Sequence, residues 1–268
     1  LRLILNVNEF NYIFTELLNK TTGLETQYNL DEIKSMDALE YAIPRLKSEF
    51  TPIVIKVINH KEISLKCYEG ELNMTFHKKY FTTDITNPKI LKGAAIQRYF
   101  YTLQMSQGEI EYLDEKRYMK EFGTSDKARH HNHARIAMQG MTGANDKIRI
   151  VMSVVPQGYY LANSCNYIFA PNNIDIYALL GLLNSKLINW FFRCFSTNSN
   201  VNGYEIDNLP IPNISKDNQI KLRDLVKSIM EKKNSDNYAD TQNEESKIDD
   251  IVYQLYNLTI EERLVIEK

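Results

Sequence analysis

LLGLLNSKLINWFFRCFSTNSNVNGYEIDNLPIP, residues 179–212, decides how the rest of the chain is read. Leu179, Leu180, Leu183, Leu187, Trp190 and Phe191 recur at one-turn spacing, which predicts a helix over 176–193 with one buried apolar face. Asn184, Lys186, Asn189 and Arg193 fall on its other side, and Asn172, Asn173 and Asp175 stand where an N-cap is wanted. Residues 196–203 are almost wholly Ser, Thr, Asn and Gly, a polar loop. The prolines of Leu209-Pro210-Ile211-Pro212 then hold the chain extended.

Outward from this stretch, 268 residues with 43% hydrophobic content suffice for one large core or two small ones. There is no run of eighteen apolar residues for a membrane span and no signal-peptide pattern. Three scattered cysteines, Cys67, Cys165 and Cys194, point to a reducing cytoplasm and to neither a disulfide framework nor a zinc cluster. The chain opens on Leu1, so we expect a piece of a longer protein. Net charge is −2, yet residues 78–149 carry 13 Lys/Arg against 8 Asp/Glu. The surplus of positive charge in mid-chain matters more for nucleic-acid binding than the total.

Residues 8–20 have the apolar spacing of a helix, residues 31–39 that of a second, and Ala42-Ile43-Pro44 breaks it. Residues 53–58 fit a strand or a short buried helix. Ile63, Leu65 and Cys67 alternate with polar neighbours as in a half-buried strand that ends in a turn at Gly70. Residues 116–135, KRYMKEFGTSDKARHHNHAR, are the most basic window and read as a solvated loop. His130, His131 and His133 lie in it, but no Cys or carboxylate stands at a spacing that would complete a metal site. A neutral or partly charged histidine cluster near phosphate is the use we expect. Residues 134–170 predict an antiparallel meander, with GMTGAND at 140–146 as a turn between strands. Ser215 caps a helix, a polar linker covers 232–243, and a second helix follows. Asn257 takes the left-handed position at its end, and Thr259 and Glu262 form a capping box for a last short helix.

Four strings carry a family resemblance. LLGLLNSKLINWFF with its polar loop and LPIP is the first. Leu91, Lys92, Gly93, Ile96, Arg98 and Tyr99 fill a second pattern, in which Gly93 supplies a positive φ or a close approach. RIAMQGMTGANDK at 135–147 is the third. IDDIVYQLYNLTIEE at 248–262 is the fourth, with Asn257 where the family pattern has Gly. Together they resemble the TaqI-like C-terminal specificity domain, the target-recognition part of adenine-N6 DNA methyltransferases and of restriction enzymes fused to them.

The resemblance spans about residues 60–268 and implies an α+β fold: a twisted mixed or antiparallel sheet, a central buried helix and a C-terminal helical pair. It implies three parts: a helical connection at 1–60 from an N-terminal methyltransferase domain, a DNA target-recognition domain at 61–212, and a helical subdomain at 213–268. The expected partners are double-stranded DNA and that methyltransferase domain, with or without a nuclease. No glycine-rich cofactor loop and no catalytic Asn/Asp-Pro-Pro-Tyr tetrapeptide is present. We therefore expect no catalytic residue, no metal and no cofactor here, with S-adenosylmethionine held by the methyltransferase domain of a type II parent enzyme. Expected phosphate contacts are Lys92, Arg98, Lys116, Arg117, Lys120, Lys127 and Arg129. Expected base readers are Arg135, Gln139, Asn145, Lys147 and Asn200. Two other readings are a type I-like specificity subunit, against which the lack of an internal repeat counts, and a protein-interaction module that never touches DNA.

Overall fold

The structure, a computed structural model, describes residues 50–103, 110–196 and 198–268, residue 32, and the strand backbones at 2–6, 11–19 and 22–29. β1 (Arg2–Asn6), β2 (Asn11–Asn19) and β3 (Thr22–Asn29) form an antiparallel meander, with Leu5 opposite Tyr12 and Phe14 opposite Thr26. The helix expected over 8–20 is therefore a strand. Tyr12, Ile13, Phe14 and Thr15 are strong β-formers, and here propensity outweighs an ambiguous apolar spacing. The helix expected over 31–39 lies outside the described residues, apart from position 32.

Residues 53–58 resolve as helix: α1 (Thr51–Ile58) starts with Pro in its first turn, and Ile53, Val54, Val57 and Ile58 are buried. There follow β4 (Cys67–Glu69), β5 (Phe81–Thr82), β6 (Ile90–Leu91), β7 (Tyr112–Leu113), α2 (Glu115–Phe122), β8 (Arg135–Gln139), β9 (Met152–Val155), β10 (Tyr160–Leu161) and β11 (Cys165–Ile168). The main sheet has the order β4-β11-β8-β9, antiparallel throughout. β5 pairs antiparallel with β7. β10 leaves the expected meander and pairs in parallel with β6, almost seventy residues earlier. That pairing sets a second layer against the sheet.

Side-chain alternation on β8 divides the layers. Ile136 and Met138 point with Met152, Val154 and Ile168 into the larger core. Ala137 points the other way, with Val155, Cys165 and Tyr167, onto Leu91, Ala95, Ile96 and Leu161. Gly93 serves by close approach, because its φ is not positive: a Cβ there would lie 2.4 Å from the Ser164 carbonyl oxygen.

The helix expected over 176–193 is two helices, α3 (Ile176–Leu183) and α4 (Lys186–Phe195). Local hydrogen bonding breaks it. Ser185 Oγ accepts the Ile188 N–H, the buried Asn184 amide donates to the Met152 carbonyl at 3.0 Å, and Asp249 accepts the Lys186 N–H at 2.8 Å. Restarting turns α4, so Trp190 is only half-buried, edge-on to Phe50 at 6.4 Å. α5 (Gly203–Asp207), α6 (Lys216–Ser235), α7 (Gln242–Leu255) and α8 (Ile260–Ile266) complete the chain. α6 extends into the expected linker, leaving a short turn pinned by Lys233 on the Asn237 and Ala239 carbonyls. One core runs through α1, the sheet face and α3, α4, α6, α7 and α8, so the boundaries at 60 and 212 do not separate cores. The 248–262 string is structural: Val252, Tyr253 and Tyr256 are buried, Asn257 has φ 54°, and the Thr259–Glu262 box is formed.

Burial raises the Asp249 carboxyl from an ordinary value near 3.8 to about 6, against the pull of the Lys186 amide and charge. A native pKa above the unfolded one means that the folded state binds more protons between those values. Stability contributed by this group is full below pH 3.8 and is lost progressively as pH rises to about 6. Asp249→Asn keeps the acceptor for Lys186 and removes the titration. The variant should melt above the parent at pH 8, with the gain shrinking toward pH 4; a gain that persists undiminished at pH 4 would contradict the assignment.

Candidate nucleic-acid interface

The basic window folds. Asp114 caps α2 by accepting the Arg117 N–H, and Tyr118 anchors it in a small aromatic core with Tyr80, Leu113 and Tyr160. Lys116, Arg117 and Lys120 remain on the exposed side. The turn Lys78–Tyr80 adds Lys79, a contribution that sequence reading missed because it comes from a distant segment. Lys79 Nζ lies 4.9 Å and the Arg117 guanidinium 5.8 Å from the centre of the Tyr80 ring. Lys79, Tyr80, Arg117, Lys120 and Glu121 line one shallow hollow. The Tyr80 hydroxyl, hydrogen-bonded to Glu121, holds that carboxyl below its usual range. Lys127, half-exposed, and Arg129, exposed, lie on the turn Lys127–Asn132 that leads into β8.

Two expected phosphate ligands are engaged elsewhere. Lys92 is ion-paired with Glu111 at 2.5 Å. Arg98 reaches Glu245 of α7 and the Asn184 carbonyl and lies over the Tyr99 ring. It ties the sheet to the helices and is withdrawn as a phosphate contact. Its neighbour Tyr99 is buried at φ 71°, with its N–H on the Met152 carbonyl.

Arg135 cannot read a base, because it is fully buried. Its guanidinium pairs with Glu71, donates to the Tyr159 carbonyl and lies 4.7 Å over the Tyr167 ring. Glu71 accepts the Leu161 N–H with its other oxygen. Burial pushes its carboxyl up, against the pull of Arg135. Gln139 is likewise withdrawn, since its amide donates to the Ile96 carbonyl at 2.7 Å. Both point into the second layer, as odd-numbered β8 residues must.

Asn145, Lys147 and Asn200 are exposed, and the structure brings them together. The 140–148 turn is joined to residues 198–201 through Thr142 N–H to the Ser199 carbonyl, Val201 N–H to the Gly140 carbonyl, and a bridge between Met141 and Asn200. Beneath them lies Arg149, only 1% exposed. It donates to Thr142 Oγ1 at 2.9 Å and to the Asn198 carbonyl at 2.7 Å. On α4, Asn189 accepts the Arg149 and Ile150 N–H groups and donates to the Lys147 carbonyl. Alternation places Arg149 on the polar side of its strand, so the sequence gives no sign that it is a buried brace. The result is a hydrogen-bonded two-loop ridge with exposed amide and ammonium groups.

The histidines serve the fold. His131 is buried, stacked on Tyr160 and 2.9 Å from Glu115. His130 meets the Tyr167 hydroxyl at 2.7 Å, and burial with the Arg135 charge lowers its pKa. His133 is exposed beside Phe169. Among the described residues no group of three potential ligands is placed to hold a metal.

The solved structure of the type IIL restriction-modification enzyme MmeI in complex with DNA is similar in fold, with a TM-score of 0.52 at 10% identity. The likeness covers 77% of this chain and 35% of that one, so the chain spans about a third of that enzyme's length. No curated protein matches the chain. The family model of the TaqI-like C-terminal specificity domain matches residues 88–211, which take in β6 through α5, the basic helix and both loops of the ridge. Over those residues the chain is similar to the TaqI-like C-terminal specificity domain.

Proposed function

We propose that the chain is the target-recognition module of a restriction–modification enzyme and reads duplex DNA. The observation that carries this is the braced ridge of 140–148 and 198–200, held by Arg149 and Asn189 at the end of β8, with the turn Lys127–Asn132 and its Arg129 leading into the start of that strand. The five residues of β8 set that turn and the ridge roughly 15 Å apart, at about 3.3 Å per residue. Lys79, Lys116, Arg117, Lys120 and Arg129 bind phosphates and set register, which carries no base identity. Asn145 and Asn200 match the N6/N7 edge of adenine and Lys147 the O6/N7 edge of guanine in the major groove. This chain's part is to hold the duplex in register. A methyltransferase domain of the parent protein, reached through residues 1–60, then draws the target adenine from the stack and transfers the methyl group from S-adenosylmethionine.

The test is binding to random and selected duplexes at several salt concentrations. Asn145→Ala and Lys147→Ala should each lose about 1–3 kcal/mol of discrimination at one base pair, with random-duplex affinity almost unchanged. Equal affinity of the parent chain for every duplex, or no affinity at low salt, would refute the reading.

A further inference from the structure

The ridge that carries the polar readers also carries two apolar side chains that the fold does not use. Met141 is 66% exposed and Ile148 45% exposed. Neither is loosely held. Gly140 N–H donates to the Ser164 carbonyl at 2.8 Å and Thr142 N–H to the Ser199 carbonyl at 2.9 Å, so the main chain is fixed on both sides of Met141. Ile148 stands between the Lys147 carbonyl and the Arg149 N–H, both hydrogen-bonded to the Asn189 side chain at 2.7 Å. The clamped backbone fixes where each Cα–Cβ bond starts, so both side chains are presented from the ridge beside exposed amide and ammonium groups.

We propose that Met141 and Ile148 read thymine by packing against its C5-methyl group in the major groove. This rests on the DNA-recognition reading above and names the base that the apolar part of the ridge selects. The thymine methyl is the one apolar feature among the base edges of that groove, and contact with it needs no hydrogen-bonding group. The neighbouring Asn145, Lys147 and Asn200 favour the same groove, because only there do their donors and acceptors meet a distinct pattern for each base pair. The minor groove shows a degenerate pattern and is where apolar side chains act as wedges between base steps.

The experiment is selection by the whole chain from random duplex pools synthesised with thymidine or with deoxyuridine. Deoxyuridine keeps the pairing edge and the O4 acceptor and lacks only the methyl group. Affinity is then measured for the selected duplex with each thymidine changed singly to deoxyuridine. One or two such changes should weaken binding about three- to fourfold, the effect of one buried methyl group. The Met141→Ala, Ile148→Ala double variant should melt with the parent and lose the distinction between the two nucleosides at those positions. A selected site indifferent to every thymidine-to-deoxyuridine change overturns the inference and leaves the DNA reading standing. Indifference together with a rise in 2-aminopurine fluorescence on binding also overturns it, in favour of a wedge. Failure to enrich any sequence overturns the DNA reading itself, and the inference with it.

Discussion

Arg135→Ala should unfold the chain more readily by about 3–5 kcal/mol, the cost of leaving one member of a buried ion pair without its partner. Glu71 and Arg135 have side chains with no exposed surface, and the pair holds together three pieces of backbone. These are the turn after β4, the start of β8, and residues 159–161 through the Tyr159 carbonyl and the Leu161 N–H. Against a typical total stability of roughly 5–15 kcal/mol, that loss is large. The control is Glu71→Gln combined with Arg135→Met. The glutamine oxygen still accepts from Leu161, and no lone charge stays buried, so the double variant should recover much of the single variant's loss. Urea unfolding of the three proteins decides it. If Arg135→Ala melts with the parent and loses only base discrimination, then Arg135 faces DNA and the described burial is wrong.

Replacing Lys116, Arg117 and Lys120 together with Ala should make the dependence of log affinity on log salt shallower by roughly 2.7 units, since each phosphate contact releases about 0.9 counterion. All three lie on the exposed side of α2, whose stability rests on Tyr118 and the Asp114 cap, so the melting temperature should hardly move. Preference for the selected duplex over random DNA should persist, because phosphates are the same at every step. Adding Lys79→Ala should flatten the slope further, since Lys79 borders the same hollow. An unchanged slope in the triple variant would place the phosphate-binding face elsewhere.

Legibility in the sequence followed physical scale. Local signals held: the caps at Ser215 and Thr259 and the left-handed Asn257 sit where short-range chemistry puts them. The α+β class and the family resemblance also held over the matched residues. Pairings that depend on distant segments could not be read. β10 joins β6 and not the next strand of a meander, Lys79 comes to α2 from another turn, and Arg98 crosses to α7. The strand at 11–19 was missed because Tyr, Ile and Phe at helical spacing fit two periods at once. The site went wrong in an instructive direction. Most of the residues that carry the resemblance hold the frame: Arg135 on Glu71, Gln139 on Ile96, Gly93 against Ser164, Arg98 on Glu245. Of the residues left at the surface of the ridge, Asn145 and Lys147 belong to the 135–147 string, whereas Asn200 belongs to no such pattern. An arginine that looks like a DNA ligand in one dimension is a buried strut in three.

Where the ridge is fastened has a bearing on how such a chain could change its target. Its anchors are main-chain amides and carbonyls at 140, 142, 147, 199 and 201, together with the side chains of Thr142, Arg149, Asn189 and Asn198. Positions 141, 144, 145, 199 and 200 thus contribute little but backbone to the frame. Almost any residue that tolerates the local dihedrals can stand there without disturbing the layers below. Drift at these positions is nearly free of structural penalty, so on the proposed reading one DNA word is exchanged for another by a few substitutions while the scaffold stays as it was.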